Sequence, residues 1–340
     1  MIIRSRAPVR ISFAGGGTDV SPYTEEYGGC VLNAAIRHYA WATLETRDDR
    51  VIQLESDDLA EREEFPSLED ITFNGRLDLL KAVVQAYGHI DQGFNLYLRS
   101  DVPPRSGLGG SASACIALIG VFNHLMRDRR QSSYEIAETA YRLEREVLKV
   151  KGGRQDQYAA VFGNINFLEF RGNDFVRVNP LRLPEDYLLE LEKHLVLVRL
   201  PGDRCQSGDV LHDQMNNMKS KSTQTLDALH RTKAIAEEMK RALLRGDFQK
   251  FGSLLDQGWQ EKKKFSSMIS NTKIDQLYSL AKDAGALGGK ITGAGGGGHM
   301  IFFCRPNTEH RVSDALGRLG ALSPGLHFDT QGLRVWTTNN

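Results

Sequence analysis

The period of the apolar positions changes several times along the chain. IIRSRAPVRISFA, CVLNAAI, YAWATLET and VIQLES carry β-branched and aromatic residues bounded by Gly and Asp, which predicts a run of strands. Over LDLLKAVVQAYG (Leu77–Gly88) the spacing becomes helical and stops at Gly88, a C-cap position. FNLYLRS (Phe94–Ser100) alternates as a strand again, and a helix opens after Pro103 and Pro104, running through CIALIGVFNHLM. Ser132–Val150 predicts an amphipathic helix, with Ser132 or Ser133 as N-cap and Glu135 placed for a capping box. GNINFLEF and DFVRVNPL read as closing strands. A boundary falls near Pro184, ahead of the strand LVLVRLPG. Beyond it, helices are expected over Asp209–Arg245, Asp247–Ser270 and Ile274–Ala284. KITGAGGGGHMIFFC, a helix and HFDTQGLRVW then add strand, helix and strand, an α+β pattern.

A length of 340 residues suits two domains, each with its own core. Lys+Arg and Asp+Glu both number 43, so no charge excess points to nucleic acid or to a membrane surface. MIIRSRAPVR lacks a signal-type apolar region, and no run of about 18 apolar residues occurs, so a cytoplasmic protein is expected. Cys30, Cys115, Cys205 and Cys304 lie far apart without a CxxC pair, which argues against zinc or a disulfide framework.

Glycine changes the picture through its clustering. FAGGGTD (Phe13–Asp19), SGLGGSAS (Ser106–Ser113) and TGAGGGG (Thr292–Gly298) could each be a flexible turn. The second stands apart: a strand and two prolines lead in, and a helix starts inside the cluster. There the bare backbone and the free N–H groups of a helix start favour an anion, a phosphate above all. No GxxxxGK[ST] occurs. Gly107–Ala112 and Gly293–Gly298 formally match the dinucleotide fingerprint, with Asp128 downstream of the first. However, DVPPRS separates strand from glycine in one case, and a strand follows the other where a helix is needed.

Phosphoryl transfer also needs metal ligands and a group to receive the acceptor's proton. LEREVLKVKGGRQDQYAA offers Glu144 on a helix, a turn at Gly152-Gly153, and Asp156. Taken alone, Glu144 suits a solvated helix face equally well, and Asp156 an N-cap for AAVFG. Arg10 sits in the apolar segment APVRISFA, where an unpaired charge is costly, so it wants a carboxylate or phosphate. Asp19, closing GGGTD, is either a turn residue or an acceptor for polyol hydroxyls.

In order and context, APVRISFAGGGTD, PPRSGLGGSASA and GAGGGG resemble the signature motifs of the GHMP kinases, the superfamily of galactokinase, homoserine kinase, mevalonate kinase and phosphomevalonate kinase. The resemblance spans nearly the whole chain. Within the superfamily, AGGGTDVSPYTEEYGGCVLNAAI and GGRQDQYAAVFGNINFLEF look most like the bacterial D-glycero-α-D-manno-heptose 7-phosphate kinases. It implies an α+β fold of two domains. Residues 1–184 would form an ATP-binding domain of the ribosomal-protein-S5-like type, and residues 185–340 a ferredoxin-like domain. It further implies ATP and Mg²⁺ as cofactors and a sugar phosphate acceptor phosphorylated at C1. A homodimer is compatible with it; nucleic acid and membrane are not implied.

The roles carried over are these. Ser106, Gly107, Leu108, Gly109, Gly110, Ser111, Ala112 and Ser113 would cover the ATP phosphates, with Ser111 and Glu144 on Mg²⁺. Asp156 would be the catalytic aspartate, with Arg10 beside it. Gly15, Gly16, Gly17, Thr18 and Asp19 would meet the sugar, with Gly295 and Gly296 walling the site. Two departures stand out. Gly16-Gly17 replaces the Glu-His of galactokinase, and Gly110-Ser111 replaces a usual pair of serines. For a phosphate already on the acceptor, Arg154, Lys151 and Arg204 are candidates by charge alone. Other expectations are an anomeric kinase for fucose or a mannose-like hexose, and a catalytically silent sugar or nucleotide sensor.

Overall fold

The computed structural model describes residues 1–88, 92–126, 130–202, 207–220 and 222–338; Asp128, Arg204 and Cys205 lie outside them. The first half runs β1 (Ile2–Ala14), α1 (Tyr23–Tyr27), β2 (Gly29–Thr46), β3 (Ile52–Ser56), β4 (Glu61–Phe65), α2 (Asp78–Tyr87), β5 (Phe94–Ser100), α3 (Gly110–Leu125), α4 (Ser133–Arg142), α5 (Gln155–Phe162), β6 (Ile165–Arg171) and β7 (Phe175–Pro180). The second half runs α6 (Glu185–His194), β8 (Leu195–Arg199), α7 (Ser207–Lys219), α8 (Thr223–Leu244), α9 (Phe248–Lys262), α10 (Thr272–Ala284), β9 (Ala286–Ile291), β10 (His299–Cys304), α11 (Glu309–Gly317) and β11 (Arg334–Thr338).

Two sheets result. The larger has the order β11-β1-β2-β5-β3-β4, with β6 pairing β2 and β7 beyond it; the smaller is β8-β10-β9. CVLNAAI and YAWATLET are one strand, β2, rather than two. Its register against β1 slips from Pro8–Tyr39 to Val9–Ile36, so Arg37 and His38 are accommodated in a bulge. Past the bulge β2 changes its other neighbour, from β6 over Gly29–Ala34 to β5 over Ala40–Thr46. The final strand, expected in the second domain, pairs with β1 instead. A single bridge, Arg199–Leu322, continues the small sheet past β8.

One core lies under α2, α3, α4 and α5. Helix α3 is buried on nearly every side from Ala112 to Phe122, as an apolar helix without a polar face must be. The far half of β1, Ala7–Ala14, is buried throughout because its other face meets α8 and α9. Phe13 packs edge-on against Phe251 of α9, with ring centroids 5.2 Å apart. Helix α9 therefore packs on both sheets, with α8 beside it against β1 and β2. The expected helix Asp209–Arg245 is broken into α7 and α8, with Ser222 capping the second. Helix α6, ahead of β8, is a further helix beyond those expected from the apolar spacing.

Among the described residues no helix is long and apolar enough to cross a membrane. Cys30, Cys115 and Cys304 are buried and free.

Candidate active site

A cleft of about 740 Å³ opens where the glycine loop, β1, the segment before α5 and the start of α7 meet. The loop between β5 and α3 passes through left-handed backbone at Gly107 and at Gly109, the N-cap of α3 (φ 78°). A Cβ on Gly109 would lie 3.3 Å from the Asp156 carboxylate and 3.4 Å from Arg10 Cγ. Glycine thus satisfies both the conformation and the close approach.

Arg10, 4% exposed, links these parts. Its Nε donates to Asp156 Oδ1 (2.7 Å), its Nη1 to the Gly107 carbonyl (2.8 Å) and its backbone N–H to the Leu108 carbonyl (2.9 Å). The charge in an apolar strand is thereby paired, as burial demands. Asp156 sits in the first turn of α5 and does not cap it.

The helix expected over 132–150 has the predicted capping box of Ser132 and Glu135. It is α-helical only to Arg142, and one π-turn, Leu143–Val147, follows. Such turns often mark functional positions, and this one carries Glu144 inward, 2% exposed. Ser111 Oγ donates to Glu144 Oε1 (2.7 Å), and Gln157 Nε2 donates to Oε2 (2.5 Å). Hydroxyl and carboxylate oxygens at the first turn of α3 fit a hard cation that keeps waters and phosphate oxygens among its ligands. Among the described residues no cluster of three or more His, Cys, Asp or Glu side chains is suited to a metal.

Asp19 is buried and accepts from Gly17 N (3.1 Å), Gln155 N (3.2 Å) and Gln155 Nε2 (3.2 Å). Burial pushes its carboxyl above the ordinary value and the charge on Asp156 adds to this; the N–H groups of Gly17 and Gln155 offset part of it. Gly152 and Gly153 do not end a helix. They are small because of what approaches them: a Cβ on Gly152 would meet the Arg145 guanidinium at 2.4 Å, and one on Gly153 would meet Asp19 Oδ2 at 2.1 Å. The left-handed residue of this loop is Lys149 (φ 56°).

Arg10, Gly16, Gly17, Asp19, Ser106, Gly107, Gly109, Gly110, Ser111, Ala112, Glu144 and Asp156 all line the cleft. Other expected site residues do not. Leu108 is core, and Ser113 Oγ donates to the Pro8 carbonyl (2.7 Å), locking α3 to β1. Gly15 packs on the Cys30 carbonyl, and Thr18 Oγ1 donates to the Gly15 and Cys30 carbonyls, so both shape the turn from beneath. Arg154 turns away, pairing with Glu138 (3.4 Å) and lying over the Tyr141 ring. Gly295 and Gly296 pack on Ile269; it is Gly293 and Ala294 that reach the cleft, Gly293 directly against Gly107.

Sequence reasoning missed several lining groups. Ser12 Oγ and Gln155 Oε1 are buried without a partner among the described residues, as befits walls awaiting a polar ligand. Lys262, in the wall, donates to the Gly293 carbonyl, and Lys290, buried behind the wall, donates to that of Ser12 (2.6 Å). Burial pushes the Lys290 ammonium well down, with Lys262 and Arg10 adding to the effect. Lys262 lies one turn after Trp259 on the buried face of α9, and that spacing was the available signal.

Comparisons with known proteins identify the family of the chain. The GHMP kinases N terminal domain matches residues 77–164, and the GHMP kinases C terminal domain residues 239–322. The chain is 38% identical to a D-glycero-alpha-D-manno-heptose 7-phosphate kinase of Campylobacter jejuni, over 98% of each chain. A crystal structure titled D-glycero-D-manno-heptose 1-phosphate kinase, from Bacteroides thetaiotaomicron, superposes with a TM-score of 0.83 at 32% identity, covering 99% of this chain and 100% of that one. Galactokinase of Lactococcus lactis shares the fold, with a TM-score of 0.77 at 20% identity over 98% and 95%. With a glycine loop opening α3, a paired Arg10 and Asp156 below it and two-domain matches along its length, this chain belongs to the GHMP kinases.

Proposed function

We propose that this kinase transfers the γ-phosphoryl group of ATP, with Mg²⁺, to the anomeric hydroxyl of D-glycero-α-D-manno-heptose 7-phosphate, giving the 1,7-bisphosphate. The observation that carries the reading is the Asp156–Arg10 pair, set against the glycine loop with Asp19 in the same cleft. Asp156 receives the proton of the acceptor hydroxyl as its oxygen bonds to phosphorus and the bond to the ADP oxygen breaks. Arg10 holds the Asp156 carboxylate in place through its Nε and sets a positive charge beside the site of transfer. Asp19 and Gln155 orient the sugar hydroxyls. The N–H groups at the start of α3 hold the nucleotide phosphates, and Ser111 and Glu144 hold the cation. When bound, Mg²⁺ offsets the charge on the phosphate oxygens.

The acceptor follows from the relatives' names, which agree on a heptose phosphate and differ on the position of the phosphate it already carries. The test is ADP release from ATP and Mg²⁺ against heptose 7-phosphate, heptose 1-phosphate, mannose, fucose and galactose, with the product located by phosphorus NMR. Preferred turnover of the 7-phosphate, with the new phosphate on C1, is expected. Turnover of another sugar alone would replace the acceptor and keep the mechanism. ATP binding without any turnover would favour a sensor.

A further inference from the structure

The acceptor proposed above already carries one phosphate, and the glycine loop is committed to the nucleotide. A second anion site must therefore lie elsewhere in the cleft. Of the three basic residues singled out by charge, Arg154 is paired with Glu138 away from the cleft and Arg204 lies outside the described residues; Lys151 lines the cleft. Its ammonium donates to Nδ1 of His212, on α7, at 2.5 Å. Two basic groups from separate elements thus face one another across the cleft wall, and an ammonium has donors left after serving one imidazole. Lys149 lines the same wall from a left-handed backbone, a conformation that non-glycine residues hold at a cost and that gathers at ligand sites. Among the described residues neither lysine has a carboxylate partner. Asp209, also lining the cleft, lies one helical turn before His212.

The loop bearing these lysines is tied down beside Asp19. Arg145 donates to the carbonyls of Val150 (3.2 Å) and Gly153 (3.1 Å), and Gly153 rests on the Asp19 carboxylate.

We propose that Lys151 and His212, with Lys149 beside them, form the subsite for the phosphomonoester that the acceptor brings, and so select phosphorylated over free sugars. The site assignment rests on the reading of the acceptor given above. A lost charge-assisted contact to a phosphate is worth about 10–100-fold in affinity.

The test uses the full chain and the exposed-residue variants Lys151→Met and His212→Asn. Each is assayed with heptose 7-phosphate and with the unphosphorylated heptose, and Tm is recorded to confirm folding. The ratio of kcat/KM for the phosphorylated over the free sugar is expected to fall about 10–100-fold in Lys151→Met, and less in His212→Asn. Equal losses on both sugars, or no loss, would overturn the subsite. Calorimetry with mannose 6-phosphate against mannose separates this from failure of the acceptor reading. If the wild type turns over no heptose phosphate yet binds mannose 6-phosphate more tightly than mannose, and Lys151→Met abolishes the difference, the subsite stands and the acceptor reading falls. Equal binding of the two sugars by the wild type would remove the subsite whatever the acceptor.

Discussion

Around Arg10, Asp156, Ser111 and Glu144 the cleft is made of short or buried side chains whose polar atoms are tied to one another at 2.5–2.8 Å, over glycines that leave no spare room. Lys149, Lys151 and His212 are by contrast exposed side chains, and the contact between Lys151 and His212 is one between two bases. The first region is preorganised: its charges are in place before any ligand arrives, which is the arrangement that transition-state stabilisation requires. The second leaves charge unspent, as recognition of an incoming anion requires. A fold that keeps its phosphoryl-transfer centre stiff leaves exposed residues on one loop and one helix as the place where a change of acceptor disturbs the centre least.

The sharpest way to separate the two regions is Asp156→Asn. It removes the proposed proton acceptor and leaves Arg10 without its carboxylate. A fall in kcat of about 10²–10⁴-fold, with ATP affinity largely kept, is expected from stopped-flow and nucleotide titration. Full turnover would take Asp156 out of the chemistry.

Next comes Gly153→Ala, which strikes the joint between the regions. Its Cβ would lie 2.1 Å from Asp19 Oδ2, so either loop or carboxylate must move. Overpacking of this kind costs about 1–3 kcal/mol in stability. Acceptor KM should rise more than ATP KM does; equal rises would mean that the joint does not separate the two ligands.

The smallest effect is read from pH. Asp19 has its carboxyl raised by burial and by Asp156, so the folded chain holds that proton more tightly than the unfolded chain does. Above the ordinary value of 3.8, stability contributed by the protonated group is therefore lost as pH rises through the raised value. Asp19→Asn abolishes this titration, and its Tm should fall less steeply than that of the wild type as pH rises from about 4. Parallel Tm profiles would show that Asp19 does not titrate differently on folding.

Several of these features were legible in the chain. The capping box at Ser132 and the glycine-to-helix transition at Gly109–Gly110 are local, set by residues within a few positions of one another. Arg10 declared its need for a partner because it interrupts an apolar strand. The strand break expected between CVLNAAI and YAWATLET was wrong because Arg37 and His38, polar by sequence, are absorbed by a bulge that only the pairing with β1 creates.

Sequence by itself determined which residue types stood ready: three glycine clusters in order, a buried arginine, and carboxylates at Asp19, Glu144 and Asp156. Tertiary structure decided which of them meet. Arg10 and Asp156 lie 146 residues apart and touch because β1 and α5 share one core; Arg154, two residues from Asp156, points away. Lys151 meets His212 across 61 residues. Local conformation follows from neighbours in sequence, whereas the approach of distant charges follows from how layers pack, and no single segment encodes that.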